Sequence, residues 1–178
     1  MKIAKTFIIA ALILLMSCKD ENSDQKTNDI AEFTLNTADY TILKYNSENY
    51  WVYRNAKPTD LNSAELLEIE SILNQAISDN NKVQAENLKK GNEANPENKR
   101  TETGFELSLE NYQRQYVPYI NSSGEKEIWI NFRCGKHKTN KWKTELLPPV
   151  TDGGNCYYQI KINLSKKSYS DLHINGYA

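Results

Sequence analysis

The stretch EIWINFRC, at positions 127–134, carries the strongest fold signal in this 178-residue chain. Its apolar and polar side chains alternate with a period of two, which is typical of a β-strand that buries one face. The apolar face carries Ile128, Ile130, Phe132 and Cys134, and the opposite face carries Trp129, Asn131 and Arg133. The stretch therefore predicts a strand that lies between a core and a second, more polar surface.

The segment CYYQIKINL, at positions 156–164, predicts a partner strand with the same alternation. Its apolar face carries Cys156, Tyr158, Ile160, Ile162 and Leu164, and its other face carries Tyr157, Gln159, Lys161 and Asn163. If the two segments form an antiparallel hairpin, Cys134 and Cys156 lie opposite each other on the apolar face. A disulfide between them would close a loop of about 22 residues, which is worth about 3 kcal/mol on the loop-entropy model. The alternative is a pair of buried free thiols.

Further strands are expected on both sides of this hairpin. Residues 112–120 (YQRQYVPYI) predict a strand in which Pro118 requires a sheet edge or a bulge, since proline cannot donate a ladder hydrogen bond. The other segments of strand composition are residues 40–45 and 50–54, a strand pair or one interrupted strand, residues 105–109, and residues 169–178.

The segment LNSAELLEIESILNQAI, at positions 61–77, predicts the main helix. Its apolar residues recur at three- and four-residue steps and form one stripe. Asn62 is placed to cap the first free amides and Glu65 to bond back to it, which is the capping-box pattern. The polar residues 79–104 predict an exposed excursion that lengthens the helix by a turn or two at most.

These elements predict an α+β domain in which one main helix packs on an antiparallel sheet of about four to five strands. Their order resembles the cystatin-like arrangement, which nuclear-transport-factor-type cone folds also use. Cystatin inhibitors insert a Gln-x-Val-x-Gly hairpin into papain-type proteases, and the nearest match here, QYVPY at residues 115–119, lacks the glycine. The resemblance therefore implies a fold and does not imply protease inhibition.

At the N-terminus, the apolar run FIIAALILLM at positions 7–16 follows Lys2 and Lys5. The run is too short for a transmembrane helix, which needs roughly 20 apolar residues, and is typical of a signal peptide. Residues 15–18 (LMSC) resemble the lipobox of bacterial lipoproteins. That resemblance implies cleavage after residue 17 and a lipid-modified Cys18 that anchors the chain to a membrane.

The residues after Cys18 bear on location. Residues 19–21 (KDE) resemble the export signal of Bacteroidota surface lipoproteins, which implies the outer membrane and a domain facing the cell exterior; the periplasmic face is the alternative. Residues 112–178 also resemble small lipoproteins or secreted proteins of Bacteroidota, a likeness that implies no activity. Residues 18–38 predict a flexible, lipid-anchored tether, and residues 39–178 predict a single domain.

The composition and the motifs argue against an enzyme and against a nucleic-acid binder. The formal net charge is −1, whereas a general nucleic-acid binder is clearly basic. The sequence contains no phosphate-binding glycine loop and no nucleophile elbow, and no metal-ligand spacing joins its two histidines, His137 and His173. The carboxylates of Glu65, Glu68 and Glu70 are expected to cap the helix and to face solvent. We therefore expect no catalytic residue, no metal and no cofactor.

Two features are candidates for binding. The first is the sheet face opposite the helix, whose candidate residues are Trp129, Asn131, Arg133, Tyr157 and Gln159. The second is the loop GKHKTNKWK at positions 135–143, whose candidate residues are Lys136, His137, Lys138, Lys141, Trp142 and Lys143. An anionic glycan, a lipid head group or an envelope protein would suit these features. The alternatives are an ordinary cross-strand pairing face and a solvated loop with Trp142 beneath it.

The sequence favours a lipid-anchored, surface-exposed envelope lipoprotein that binds a glycan, a host factor or an envelope partner. A structural or accessory subunit of an envelope complex is the first alternative. A protease inhibitor or an enzyme of unknown class is the second.

Overall fold

One helix packs on a six-stranded sheet in the part of the chain that the computed structural model describes, residues 39–48, 55–135 and 139–177. The elements are β1 (Tyr40–Ile42), β2 (Lys57–Pro58), α1 (Ser63–Ala94), β3 (Tyr112–Ile120), β4 (Lys126–Cys134), β5 (Tyr157–Asn163) and β6 (Ser168–Ile174). The predicted α+β class is confirmed. No helix within these ranges is both long enough and apolar enough to span a membrane.

Several predictions fall on residues outside the described ranges. These are the signal peptide, the lipid site Cys18, the tether, the strand at residues 50–54, and the loop candidates Lys136, His137 and Lys138. They stay predictions from the sequence alone.

The sheet is mixed rather than wholly antiparallel. Its strands follow the order β1-β3-β4-β5-β6, and β2 pairs with the far end of β3. The pairs β3–β4, β4–β5 and β5–β6 are antiparallel as expected, whereas β1 runs parallel to β3. Two parallel neighbouring strands need a crossover connection between them. The helix α1 supplies it, because it lies between β1 and β3 in the chain.

Pro118 lies in β3, which is an interior strand, where a sheet edge or a bulge is expected. The carbonyl of Tyr116 accepts from the amide of Leu43 beyond β1, so the backbone groups of even-numbered residues in β3 face the β1 side. Pro118 has the same parity. Its nitrogen therefore faces the interval between β1, whose pairing ends at Tyr116, and β2, whose pairing begins at Tyr119. Proline is tolerated because no ladder partner stands opposite its missing donor.

The core lies between α1 and the inner face of the sheet. The helix stripe contributes Ile69, Ile72, Leu73 and Ala76, and the strands contribute Tyr112, Tyr116, Ile128, Ile130, Phe132, Tyr158, Ile160 and Ile162. All of these side chains are buried, so the alternation expected in β4 and β5 is confirmed. Each fully buried aliphatic side chain of this kind contributes about 1.5–3 kcal/mol to the free energy of folding.

The helix begins where expected and ends much later. Asn62 accepts from the amide of Glu65 at 3.0 Å, and the Glu65 carboxylate accepts from the amide of Asn62 at 2.9 Å, which completes the capping box. The helix continues to Ala94, well beyond the one or two extra turns expected after residue 77. Lys, Gln, Glu and Ala are good helix formers, and no proline interrupts the helix before Pro96.

Asparagine side chains on this second half of α1 hold the chain that returns to the sheet. The amide group of Asn81 forms two hydrogen bonds of 2.8 Å with the backbone of Leu107, and Asn92 forms the same pair with Arg100 at 2.8 and 2.9 Å. Residues 105–109 therefore do not form the expected strand. The backbone groups of this segment bond to side chains instead of a neighbouring strand, and those of Phe105 and Leu107 bond to the helix residues Asn80 and Asn81. Leu107 is nevertheless buried in the core.

Candidate functional site

A disulfide joins the end of β4 to the start of β5. Cys134 and Cys156 are bonded, with their Cα atoms 4.8 Å apart, as the alternation in the two strands predicts. The next pair in the ladder is Arg133 opposite Tyr157. The disulfide therefore fixes the strand ends that carry two of the candidate binding residues.

The sheet face opposite α1, called the outer face below, is covered over β3. Gln115 is fully buried there. Its side-chain amide donates to the carbonyls of Trp142 at 2.6 Å and Glu145 at 2.8 Å, and its oxygen accepts from the amide of Leu147 at 2.9 Å. One glutamine thus holds the loop that follows residue 139 against the sheet.

A second apolar cluster lies under this cover, and it changes the expected site. Its buried members are Leu43, Tyr45, Val117 and Tyr119, with Ala56, Trp129 and Leu146 packed against it. Trp129 is consequently half-buried rather than exposed. Asn131 is only 7% exposed and donates to the Gln115 oxygen at 3.4 Å. The outer face is therefore only partly open, because the long β4–β5 loop folds back over β3 and part of β4.

The candidate binding residues of the loop are also partly buried and partly exposed. Trp142 is buried and anchors the loop, so the structure supports the alternative of a tryptophan beneath the loop rather than a binding residue. Lys141 and Lys143 are exposed. The Lys143 ammonium lies 5.6 Å from the centre of the Trp142 ring, a cation–π contact, and the Lys143 carbonyl accepts from the Thr41 hydroxyl at 2.9 Å.

The open part of the outer face carries Arg133, Tyr157, Gln159 and His173, called the Arg133 patch below. Arg133 pairs with Tyr157 across β4 and β5, and Gln159 pairs with His173 across β5 and β6. The first three side chains are half-buried and His173 is exposed. Within the described ranges, none of the four side chains has a hydrogen-bond or ion-pair partner. Sequence reasoning missed His173 as a member of this patch, since its place depends on the pairing of β6.

Glycine in the turn before β5 sets the position of Tyr157. Gly153 has a φ of +91°, and a Cβ atom at this position would lie 2.8 Å from Cδ2 of the Tyr157 ring. The ring therefore rests directly on the backbone of the turn. The carbonyl of Tyr157 also accepts from the amide of Asn175 at 3.0 Å, which ties β5 to the end of β6.

A polar cluster at the β3–β4 turn bounds the other end of the outer face. The Glu127 carboxylate accepts from Asn121 at 2.8 Å, and Glu125 pairs with Lys166 at 2.8 Å and accepts from Asn163 at 2.9 Å. The hydrogen bond from Lys166, with those from Asn163 and Asn121, lowers the pKa of Glu125 to about 2. No group of three or more His, Cys, Asp and Glu side chains in the described part of the chain could hold a metal ion.

A buried ion pair between the helix and the sheet was not expected from the sequence. Glu70 is 3% exposed, and its carboxylate accepts from Arg114 at 2.7 and 2.9 Å and from the Tyr116 hydroxyl at 2.9 Å. Burial raises the pKa of Tyr116, so the phenol stays protonated and donates. Glu70 thus neither caps the helix nor faces solvent. The signal was present, since Glu70 lies four residues after Leu66 and three before Leu73, within the apolar stripe.

Fold and site together define a disulfide-bonded α+β domain with one partly open sheet face. No family model, no curated protein and no solved structure matches this chain. The Arg133 patch is the open, polar part of that face.

Proposed function

We propose that this protein is a lipid-anchored lipoprotein of the outer membrane that binds a glycan, a host factor or an envelope partner through the Arg133 patch. The observation that carries the proposal is a half-buried Arg133 without an acidic partner in the described ranges, beside Tyr157 and Gln159. A cation held at the end of a strand next to an aromatic ring is the composition of a recognition surface.

The location rests on the N-terminal sequence. A lipoprotein signal peptide is favoured by Lys2 and Lys5, the apolar run and Cys18. Export to the cell surface is favoured by residues 19–21. A lipidated cysteine anchors the chain because each buried CH₂ group adds about 0.8 kcal/mol to membrane binding. The polar tether would hold the domain away from the membrane surface.

The lipid anchor predicts a clear labelling result. Cys18→Ala should abolish incorporation of radiolabelled palmitate, since it removes the cysteine that the lipobox resemblance marks for the lipid. Ser23→Ala, in the same tether, is the matched control and should label normally. Protease treatment of intact cells should remove the wild-type domain. Undiminished labelling of Cys18→Ala would contradict the anchor, and full protection from protease would contradict surface exposure.

The binding role is tested by capture on the full chain. Arg133→Gln and Tyr157→Leu should each lower capture of envelope components or glycans by about 30-fold, the effect of losing one anchor residue of about 2 kcal/mol. Arg100→Gln removes an exposed arginine from the chain segment that follows α1 and should have no effect. Quantitative pull-down from detergent-solubilised envelopes and a glycan array provide the measurements. Equal capture by all three variants and the wild type would reject the outer face as the binding surface.

A further inference from the structure

We infer that the Arg133 patch binds the carboxylate of an acidic saccharide. The inference rests on the proposed function and names the ligand class of the same site. The residues that carry it are Arg133, Tyr157 and Gln159, which are neighbours on the open part of the outer face.

The charge of the patch calls for an anion. The cross-strand neighbours of Arg133 are Gln113 and Tyr157, neither of which is acidic. The next cation along the face, Lys161, is already paired with Asp171 at 2.8 Å. Among the described residues of the patch, Arg133 is therefore the cation that a ligand can neutralise, and its planar guanidinium matches a carboxylate with two parallel hydrogen bonds.

The surroundings of Arg133 select a sugar over a small anion. Directly paired side chains on a sheet lie about 5 Å apart, and residues two apart on one strand lie about 7 Å apart. The guanidinium, the Tyr157 ring and the Gln159 amide thus fall within the span of one or two sugar residues. The ring offers an apolar face for the C–H groups of a sugar, and the amide both donates to and accepts from hydroxyls. A small inorganic anion would leave the face of the Tyr157 ring uncovered.

The orientation of the ring is held by the protein. Tyr157 rests on the backbone of Gly153, and the disulfide at Cys134 and Cys156 fixes the adjoining strand ends. A site ordered before binding loses less conformational entropy when the ligand arrives. Lys143 of the β4–β5 loop already contacts the Trp142 ring, so we place the specific contact at Arg133.

The test compares an acidic polysaccharide with its neutral ester. The methyl ester of polygalacturonate carries a neutral COOCH₃ group in place of each carboxylate, and alginate supplies a second carboxylated polymer. The full chain in detergent should bind both acids and should bind the ester at least about tenfold more weakly. Arg133→Gln should weaken binding of the acids about 10- to 100-fold, the usual effect of losing a hydrogen bond to a charged group, while Arg133→Lys should retain part of it.

Two substitutions of Tyr157 test whether its aromatic ring contributes to binding. Tyr157→Phe keeps the aromatic face and should bind nearly as the wild type does, whereas Tyr157→Leu should lose about 30-fold. Arg100→Gln is again the matched control. Dextran sulfate, which has sulfate and no carboxylate, distinguishes the two anionic groups and should bind more weakly than polygalacturonate.

A wrong ligand class and a wrong proposed function give different results. Equal binding of the acid and its ester, preference for dextran sulfate, or an unchanged affinity of Arg133→Gln would overturn the carboxylate assignment and leave the proposed binding role intact. Absence of binding to both polygalacturonate and alginate would also overturn it. If the wild type captures neither envelope components nor glycans, the proposed function itself is wrong.

Discussion

Replacement of Glu70 by glutamine should destabilise the folded protein by about 3–5 kcal/mol, because it leaves Arg114 as an uncompensated buried charge. Arg114 is only 8% exposed and bonds to Glu70 through one guanidinium nitrogen and to the Leu109 carbonyl, 2.6 Å away, through another. A small domain is stable by about 5–15 kcal/mol, so the loss would be a large part of the total. Denaturant unfolding followed by circular dichroism measures it.

Two further variants test whether the loss of stability comes from leaving a buried charge without its partner. Glu68→Gln removes a carboxylate two residues earlier whose partner, Lys167, is largely exposed, and should cost less than about 1 kcal/mol. The double variant Glu70→Leu and Arg114→Met removes both charges and should recover much of the stability, since an apolar pair of similar volume is often as stable as a buried ion pair. If Glu70→Gln unfolds at the same denaturant concentration as Glu68→Gln, the assigned role of the pair is wrong.

Loss of the disulfide is the second large effect. Cys134→Ser with Cys156→Ser should lower the free energy of unfolding by about 3 kcal/mol, because the unfolded chain regains the freedom of a 22-residue loop. The same change frees the strand ends that hold Arg133 and Tyr157, so saccharide binding should weaken as well. Denaturant unfolding and the polygalacturonate assay are the measurements.

Two controls apply to the disulfide. The wild type under reducing conditions should match the double variant in stability, since both lack the same covalent link. A thiol titration of the native, oxidised protein should detect neither Cys134 nor Cys156. Detection of both thiols in the absence of reductant would contradict the bond.

Local patterns in the sequence determined most of the elements. The period-two alternation of β4 and β5 placed Ile128, Ile130 and Tyr158 in the core, and the same parity put the two cysteines opposite each other. The capping box at Asn62 gave the helix start, because a cap depends on residues only three positions apart. Patterns of this kind are readable since each depends on the geometry of one element or one hairpin.

Tertiary structure decided the features that depend on distant partners. The second half of α1 is polar by sequence. Its Asn81 and Asn92 side chains form hydrogen bonds with the chain segment that follows the helix. Gln115 is a surface residue by pattern and becomes a buried anchor only because the β4–β5 loop returns over β3. Asn81 and Gln115 bond to residues that are far away in sequence, and no local period reveals such partners.

The candidate site shows the same division. The sequence placed Trp129, Asn131, Arg133, Tyr157 and Gln159 on one face, and the ladder of β4 and β5 confirms that they share it. Only the fold decided that Asn131 and most of Trp129 lie under the loop while Arg133, Tyr157 and Gln159 remain open. The physical reason is that strand periodicity determines to which face a side chain points, whereas the packing of a distant segment determines whether that face meets solvent.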